Sequence, residues 1–184
     1  MKATKVARLA LFLSLMIVGS QLSIPIQPVP ITLQTLMVIL IGGLLIPSEA
    51  GIVMGCYLLL GLIGLPVFAG FSGGMQSILT PSFGFALSFL ISAPLISYLL
   101  PLAKPWSARR FLGACALHYV LTYSIGLVYM GAYLAHVSGV WPNLTTVLTL
   151  GLIPFVIGDV CKYLLAGVVI HRLRQTPLKQ WLLR

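Results

Sequence analysis

Acidic side chains are almost missing from this chain: its 184 residues include 2 Asp and Glu together, against 11 Lys and Arg. Charged residues of both signs make up 7% of the chain, whereas soluble globular domains carry about 25%. Hydrophobic residues make up 59%, and the mean hydropathy is +1.08. This composition excludes a water-soluble globule and predicts an all-α membrane protein that forms one integral membrane domain over residues 1–184.

Motifs of nucleotide-binding and metal-binding proteins are missing as well. The chain has no G-x-x-x-x-G-K-[ST] phosphate loop, so any ATP hydrolysis has to come from partners. Its three cysteines, Cys56, Cys115 and Cys161, lack the spacing of metal ligands. We interpret them as small packing residues within the predicted helices. We therefore expect neither a metal site nor a bound cofactor.

Hydrophobic runs predict six membrane-spanning helices. Their approximate limits are 7–24, 31–47, 50–66, 83–101, 111–137 and 147–171. The first run follows three basic residues, as a secretory signal peptide would, but no clear A-x-A cleavage site comes after it. We therefore expect this run to be retained as the first spanning helix.

The basic residues cluster in three regions: before span 1, around the junction of spans 4 and 5, and after span 6. They are Lys2, Lys5, Arg8, Lys104, Arg109, Arg110, Arg172, Arg174, Lys179 and Arg184. With six spans, these regions share one side of the membrane, while the loops 25–30, 67–82 and 138–146 contain no Lys or Arg. The positive-inside rule then places both termini in the cytoplasm. Topology and anionic lipid account for these charges, so we expect no nucleic-acid partner.

Asp159 and Lys162 lie in the middle of the last apolar stretch. Residues three apart share a helix face, so the two side chains can meet within the membrane. Ionisable groups at that depth are costly and usually mark a ligand site or an ion pathway. An ion pair that only fixes helix packing is the less frequent alternative.

Two loops on the side without Lys or Arg have unusual compositions. Residues 23–35 contain three prolines within six residues, which excludes a helix and favours a stiff extended lid over a cavity. Residues 64–84 are rich in glycine and include Phe68 and Phe71. They offer close backbone approach and flat apolar surface to a small organic ligand. A turn without ligand contact is the structural alternative for each loop.

Other polar side chains in the predicted spans are candidates for the same site. Gln34 lies at the start of span 2, below the proline-rich loop, and an interhelical hydrogen bond is its alternative role. Tyr119 and Tyr123 are four residues apart on span 5. They could form an aromatic wall with a polar edge, or pack in the core.

The start of span 1 carries small residues four positions apart, in the pairs Ala3-x-x-x-Ala7 and Ala10-x-x-x-Ser14. Such spacing lets two helices approach closely within a membrane. The four positions are therefore candidates for contact with a partner helix.

Three segments of the chain form a combination of motifs. They are residues 28–35 (Pro-Val-Pro-Ile-Thr-Leu-Gln-Thr), residues 61–70 (Gly-Leu-Ile-Gly-Leu-Pro-Val-Phe-Ala-Gly) with Gly73-Gly74, and Gly158-Asp159-x-x-Lys162. Together they resemble the BioY family, the biotin-specific substrate-binding components of energy-coupling-factor (ECF) vitamin transporters, over about residues 7–169. Residues 80–85 (Thr-Pro-Ser-Phe-Gly-Phe) depart from the family, which usually has a Gly-Pro-Thr-Gly-Gly-Tyr type of segment there.

The resemblance implies a six-helix bundle in a prokaryotic cytoplasmic membrane that captures biotin from the outer side. It implies as partners a transmembrane coupling protein, docked on the small residues of span 1, and two cytoplasmic ATPase subunits. Asp159 would accept hydrogen bonds from the ureido N–H groups of biotin. Lys162 would neutralise Asp159, donate to the ureido oxygen or meet the valerate carboxylate. Together with the candidates given above, the predicted biotin-binding residues are Asp159, Lys162, Gln34, Phe68, Phe71, Ser72, Gly73, Gln76, Tyr119 and Tyr123.

Two other functions fit parts of the sequence. The segment Gly70-Phe71-Ser72-Gly73 has the G-x-S-G form of a serine hydrolase, but a serine nucleophile needs a nearby base. Among the histidines, His136 is the one predicted near a span end on the same side of the membrane as Ser72, where it could serve as that base. A proton-coupled carrier, or a vitamin carrier that works without a coupling module, would use Asp159 to relay protons.

Overall fold

The structure, a computed structural model, describes residues 3–183. Lys2 and Arg184, two of the residues used to predict topology, lie outside this part, as does the side chain of Lys179. The helices are α1 (Ala3–Gln21), α2 (Gln34–Leu44), α3 (Pro47–Leu62), α4 (Phe83–Leu99), α5 (Ala108–Ser138), α6 (Leu144–Gly151), α7 (Val156–Leu173) and α8 (Leu178–Leu183). Two strands, β1 (Ser23–Ile24) and β2 (Ile31–Thr32), pair with each other, and 3-10 turns form at Ala69–Phe71, Met75–Leu79 and Ile153–Phe155.

The helices overlap the six predicted spans, but the boundaries differ. The predicted span 147–171 is divided into α6 and α7 by the turn Ile153–Phe155, because Pro154 lacks an N–H group and its ring clashes with the preceding turn. Within residues 3–183, three helical stretches are long and apolar enough to cross a membrane, namely Ala3–Gln21, Ala108–Ser138 and Leu144–Leu173, whereas α2, α3 and α4 are shorter apolar helices. The six crossings and the cytoplasmic termini therefore stay predictions.

The chain runs back and forth, so its connections gather at two ends of the bundle. The hairpin end carries the two strands and residues 63–82 and 139–143, and Gln21 Nε2 ties α1 to this loop by donating to the Phe68 carbonyl at 3.0 Å. The terminal end carries the start of α1, the α2–α3 and α4–α5 connections and α8. Among the Lys and Arg residues described, only Lys162 lies away from the terminal end.

Residues 23–33 of the proline-rich segment form an antiparallel β-hairpin and no helix, in agreement with their proline content, while Gln34 and Thr35 begin α2. Ser23 pairs with Thr32 and Ile24 with Ile31, while residues 25–30 form the tip. The backbone N–H of Leu33 donates to the Gly19 carbonyl at 3.1 Å, which holds the hairpin against the last turns of α1. The tip is thereby positioned beside the helix ends.

Two basic residues at the terminal end have structural roles that the sequence analysis did not assign. Arg8 is 3% exposed and forms a bidentate ion pair with Glu49 of α3, at 2.5 Å from Nη2 to Oε1 and 3.1 Å from Nε to Oε2. Buried Arg174 donates to the carbonyls of Gly43 and Leu100, each at 2.6 Å. The interpretation of these charges through topology and lipid alone is wrong for Arg8 and Arg174, because a buried guanidinium needs such partners.

The close contact between α2 and α4 depends on Gly42. A Cβ atom there would lie 2.6 Å from Ile96 Cβ and 2.8 Å from the Ala93 carbonyl oxygen, so the two helices would have to separate. We expect Gly42→Ala to destabilise the protein by about 1–3 kcal/mol, the usual cost of overpacking, and to lower the midpoint of thermal unfolding in detergent.

Gly113→Ala on α5 is the matched control for this substitution. A Cβ atom at Gly113 meets no atom within 4 Å in the described part of the chain, so only the higher helix propensity of Ala acts there. Tryptophan fluorescence during heating compares the two variants. Equal unfolding midpoints would contradict the role given to Gly42.

Candidate ligand-binding site

A cavity of about 360 Å³ lies at the hairpin end of the bundle. The hairpin tip, residues 68–83 and the facing sides of α2, α4, α5 and α7 form its walls. Gln27 and Ser72 line it and are exposed, which marks its mouth, whereas Asp159 and Lys162 are buried. Small-molecule sites have volumes of about 300–1,000 Å³, so this cavity has the size of a vitamin-binding site.

Asp159 lies in the first turn of α7 and is 1% exposed. The Tyr123 hydroxyl on α5 donates to its Oδ2 at 2.6 Å, while Lys162 Nζ and the Thr35 hydroxyl on α2 reach Oδ1 at 2.9 and 3.2 Å. Donors from three helices thus stabilise a carboxylate whose burial without partners would be very costly. A carboxylate offers about four acceptor positions, so one remains beyond these three contacts.

Lys162 forms the ion pair that its spacing from Asp159 predicts. Its ammonium group also donates to the Thr35 hydroxyl at 3.1 Å, so Asp159, Lys162 and Thr35 form a closed triangle. The side chain is 8% exposed, and two of its three N–H donors are engaged in these contacts. The charge of Lys162 is therefore balanced within the protein, and one donor remains for a ligand.

A second polar group lies where α2 begins. Gln34 accepts a hydrogen bond from the Thr32 hydroxyl at 2.9 Å and donates through Nε2 to the Tyr57 hydroxyl of α3 at 2.6 Å. The interhelical hydrogen bond that the sequence analysis left open is thus present. An amide nitrogen has two N–H donors, so Gln34 keeps one donor while its side chain lines the cavity.

Aromatic rings form much of the remaining wall. Phe68 packs edge-on against Tyr57 and Phe83, with ring centroids 5.4 and 6.1 Å apart. Phe85 packs edge-on against Tyr123 at 6.0 Å. The other phenylalanines of the cavity are Phe89 and Phe155. Rings that pack against one another hold their positions, so the wall is a fixed apolar surface suited to a compact ring system.

Six of the ten residues predicted to contact the ligand line this cavity. They are Asp159, Lys162, Gln34, Phe68, Ser72 and Tyr123. They come from α2, the glycine-rich loop, α5 and α7, so the fold brings together positions that are up to 128 residues apart in sequence, from Gln34 to Lys162.

The other four predicted residues lie away from the described cavity wall. They are Phe71, Gly73, Gln76 and Tyr119. Phe71 has a positive φ of 55° and its side chain is 72% exposed, while exposed Gln76 donates to the Gly73 carbonyl at 2.6 Å. Gly73 packs its backbone tightly against Leu65, and the Tyr119 ring packs at a tilt of 47° against Tyr123 with centroids 4.5 Å apart. The geometry gives no support to direct ligand contact by these four side chains.

Some residues of the cavity wall were not predicted to be site residues, namely Thr35, Thr122 and the phenylalanines of α4. Thr35 follows Gln34 directly, and its hydroxyl bonds both members of the ion pair. Phe85 and Phe89 are four residues apart on α4, and this spacing places them on one helix face. The four-residue spacing of Phe85 and Phe89 could have indicated a cavity wall. The sequence around Thr122 contains no comparable signal.

The four small residues predicted to dock a partner, Ala3, Ala7, Ala10 and Ser14, are all exposed on α1. The Ser14 hydroxyl donates back to the Ala10 carbonyl at 2.9 Å, so it presents little polarity to a neighbour. A surface of this kind permits close approach of a second helix. The contact itself stays a prediction.

Comparison with known proteins gives consistent matches along the chain. A profile of the BioY family matches residues 1–178. The chain is 34% identical over 174 residues to a probable biotin transporter BioY of Pyrococcus horikoshii, covering 95% of this chain and 98% of that protein. It is 35% identical over 164 residues to a biotin transporter BioY of Lactococcus lactis subsp. cremoris, covering 88% and 85%.

A solved structure shares the fold. A 2.1 Å crystal structure of the S-component for biotin from an ECF-type ABC transporter superposes with a TM-score of 0.82 at 30% identity, covering 95% of this chain and 93% of that one. The names of the relatives describe transport, which is not an enzymatic function. The serine hydrolase alternative is set aside, and the Ser72 hydroxyl donates to the Ala69 carbonyl of its own loop at 2.9 Å.

Proposed function

The chain belongs to the BioY family, and we propose that it captures biotin in the cavity at the hairpin end and delivers it inward with an ATP-driven coupling module. Its membership of a family of biotin transporters and its resemblance to a biotin S-component support biotin uptake. The observation that carries the site is the buried triangle of Asp159, Lys162 and Thr35 at the inner part of a cavity whose wall includes several aromatic rings.

In this proposal the bicyclic end of biotin binds beside Asp159. The ureido group has two N–H donors and one carbonyl acceptor, and a carboxylate accepts from such donors in strong charge-assisted hydrogen bonds. The free acceptor position of Asp159 takes a ureido N–H, and the remaining donor of Lys162 meets the ureido oxygen. The rings of Phe68 and Phe85 then cover the apolar part of the bicycle. Ligands without a ureide leave this polar pair unmatched, which gives selectivity.

The proposed orientation places the terminal end in the cytoplasm. The terminal end holds all the described Lys and Arg residues except Lys162, in agreement with the positive-inside rule. The cavity mouth then faces outward across a cytoplasmic membrane, and the chain crosses six times. Protease protection of tags added to either terminus of the protein, in sealed right-side-out vesicles, tests this arrangement. Cleavage of a terminal tag from outside would contradict it.

We propose that the exposed small residues of α1 dock the transmembrane coupling protein, which works with two ATPase subunits. We expect Ala7→Leu to reduce biotin uptake by the complete complex by about tenfold or more, equivalent to about 1.4 kcal/mol of lost docking. Biotin binding by the purified protein stays unchanged, since Ala7 lies at the opposite end from the cavity. Val120→Leu, at an exposed position on α5, is the control. Equal uptake by both variants would contradict this docking surface.

The proposed function is tested in two steps. Calorimetry on the purified protein measures biotin binding, and absence of binding would contradict the assignment. Uptake of labelled biotin by cells then separates energy sources: we expect uptake to require the ATPase subunits and to survive dissipation of the proton gradient while ATP is kept. Uptake that needs no coupling module and collapses with the gradient would instead favour a solitary carrier that relays protons through Asp159.

A further inference from the structure

The charges in the cavity are all at one end. Among the described residues that line it, Asp159 and Lys162 are the charged ones, and they are bonded to each other at 2.9 Å. The remaining described Lys and Arg residues belong to the terminal end of the bundle. A ligand with its ureide at Asp159 therefore extends its other end into a part of the cavity that offers no cation.

That outer part of the cavity is polar but uncharged. Ser77, Thr80 and Ser82 line it just before α4, with Gln27 of the hairpin tip and Tyr133 of α5. The Thr80 hydroxyl donates to the Ser77 carbonyl at 2.7 Å and lies 3.4 Å from the Ser82 hydroxyl. We call Ser77, Thr80 and Ser82 the hydroxyl cluster. The cluster offers hydrogen-bond donors and acceptors to a ligand, but it carries no charge.

The hydroxyl cluster and the ion pair are separated along α4. The Ser88 hydroxyl donates to Thr122 at 3.2 Å, and Thr122 adjoins Tyr123, which bonds Asp159, so Ser88 and Phe89 lie at the level of the ion pair. Ser82 is seven residues before Phe89, which corresponds to about 10 Å at 1.5 Å per helical residue. A ligand anchored by its rings at Asp159 thus reaches the hydroxyl cluster with a side chain of modest length.

We propose that this cavity recognises the tail of its ligand through uncharged hydrogen bonds, so that biotin amides, including biotin joined to the side chain of lysine, are substrates alongside free biotin. The inference rests on the proposed function. A carboxylate that enters a site without a cation gives up its hydration for neutral partners, which is more costly than the same transfer for an amide. Removing the tail charge therefore does not reduce affinity.

The open mouth permits the larger substrate. Gln27 and Ser72 line the cavity and are exposed, so a group attached to the tail continues outward between the hairpin tip and the glycine-rich loop. Biotin is attached to proteins through an amide with lysine. Proteolysis of biotinylated proteins is thus the class of reaction that would supply the amide substrate.

Calorimetry on the purified full chain tests the proposal with biotin, biotinamide and biotin amide-linked to lysine. We expect both amides to bind within about tenfold of biotin, a difference below about 1.4 kcal/mol. A larger loss for biotinamide, with biotin still bound, would overturn the uncharged tail site and indicate that Lys162 binds the carboxylate. Failure of biotin itself to bind would instead refute the proposed function. Biotin methylated on a ureido nitrogen tests the end that binds Asp159. We expect this change to reduce affinity more than conversion of the tail carboxylate to an amide.

Variants of the hydroxyl cluster provide a second measurement. We expect Thr80→Val and Ser82→Ala each to weaken binding of biotin and biotinamide by the same factor, about three- to tenfold, as for loss of a neutral hydrogen bond. Thr149→Val, at an exposed position on α6, is the matched control and leaves both affinities unchanged. Unchanged affinity for both ligands in the two cluster variants would overturn the role of the cluster.

Discussion

Asp159→Asn is expected to lower the affinity for biotin by about 100-fold or more while leaving the helix bundle folded. Asn is similar in shape, but it carries no charge, and its amide can place an N–H group where the carboxylate accepts. Hydrogen bonds to charged groups contribute about 1.5–3 kcal/mol each, so loss of the ureido contact together with repulsion between donors amounts to about 3 kcal/mol or more. Calorimetry of the purified variant measures the change.

The substitution also leaves Lys162 buried without its counter-ion, which lowers stability by itself. The double variant Asp159→Asn with Lys162→Met removes both charges and separates the two effects. We expect it to recover thermal stability relative to Asp159→Asn without recovering biotin affinity. Recovery of both would mean that Asp159 acts on the fold and not on the ligand.

Two tyrosines provide a matched pair for the same site. The Tyr123 hydroxyl donates to Asp159 at 2.6 Å, whereas Tyr119 packs behind Tyr123 away from the cavity wall. We expect Tyr123→Phe to weaken biotin binding by about tenfold, since the carboxylate loses a donor that fixes its orientation. Tyr119→Phe should have no measurable effect. Equal losses in the two variants would show that both hydroxyls reach the ligand.

The charged centre of the site could be predicted because its signal is local. An acid and a base three residues apart in an apolar run are costly in any arrangement of the helices, so Asp159 and Lys162 stand out before any tertiary contact is known. The BioY family could likewise be recognised from short motifs that keep their order along the chain, and the family profile confirms it. Tertiary information was needed for Thr35, whose hydroxyl meets two residues of α7, and for Thr122, whose hydroxyl meets Ser88 of α4.

In the glycine-rich loop, the predicted contact residues and the residues that line the cavity differ. Its glycine content is in keeping with the positive φ angles at Gly64, Gly70 and Gly74, while the predicted close approach of its backbone to a ligand stays a prediction. Which side chain faces inward depends on the dihedral angles of each residue, and no periodicity in the sequence encodes them. Phe68 turns into the cavity while Phe71, three residues later, points outward. The helix positions were easier to predict, although the break at Pro154 had a sequence signal that the hydrophobic run obscured.

The other acid of the chain carries the second large effect. Glu49 is 1% exposed and accepts two hydrogen bonds from Arg8, which also donates to the Trp181 carbonyl at 2.9 Å. This group joins α1, α3 and α8 at the terminal end. The pairing is not evident in the sequence, because the two residues are 41 positions apart.

We expect Arg8→Met to destabilise the protein by about 3–5 kcal/mol, because the buried Glu49 carboxylate loses its bidentate partner and keeps the partly exposed Lys5 ammonium at 3.8 Å as a weaker counter-charge. The variant should unfold at a markedly lower temperature in detergent, measured at one fixed heating rate since membrane proteins often unfold irreversibly. Biotin affinity at low temperature should stay unchanged, because the pair lies at the end opposite the cavity. This combination separates a structural ion pair from a residue of the binding site.

Two further variants test whether charge compensation is the cause. Adding Glu49→Leu to Arg8→Met removes the buried carboxylate that has lost its bidentate partner and should recover most of the lost stability, since a buried ion pair replaced by apolar groups is often nearly neutral. The Lys5 side chain is 33% exposed, and its ammonium group lies 3.8 Å from Glu49. We therefore expect Lys5→Met to lower the free energy of unfolding by less than about 1 kcal/mol. If the double variant is as unstable as Arg8→Met alone, Arg8 stabilises the bundle through its bond to the Trp181 carbonyl and the attachment of α8, and the ion pair contributes little.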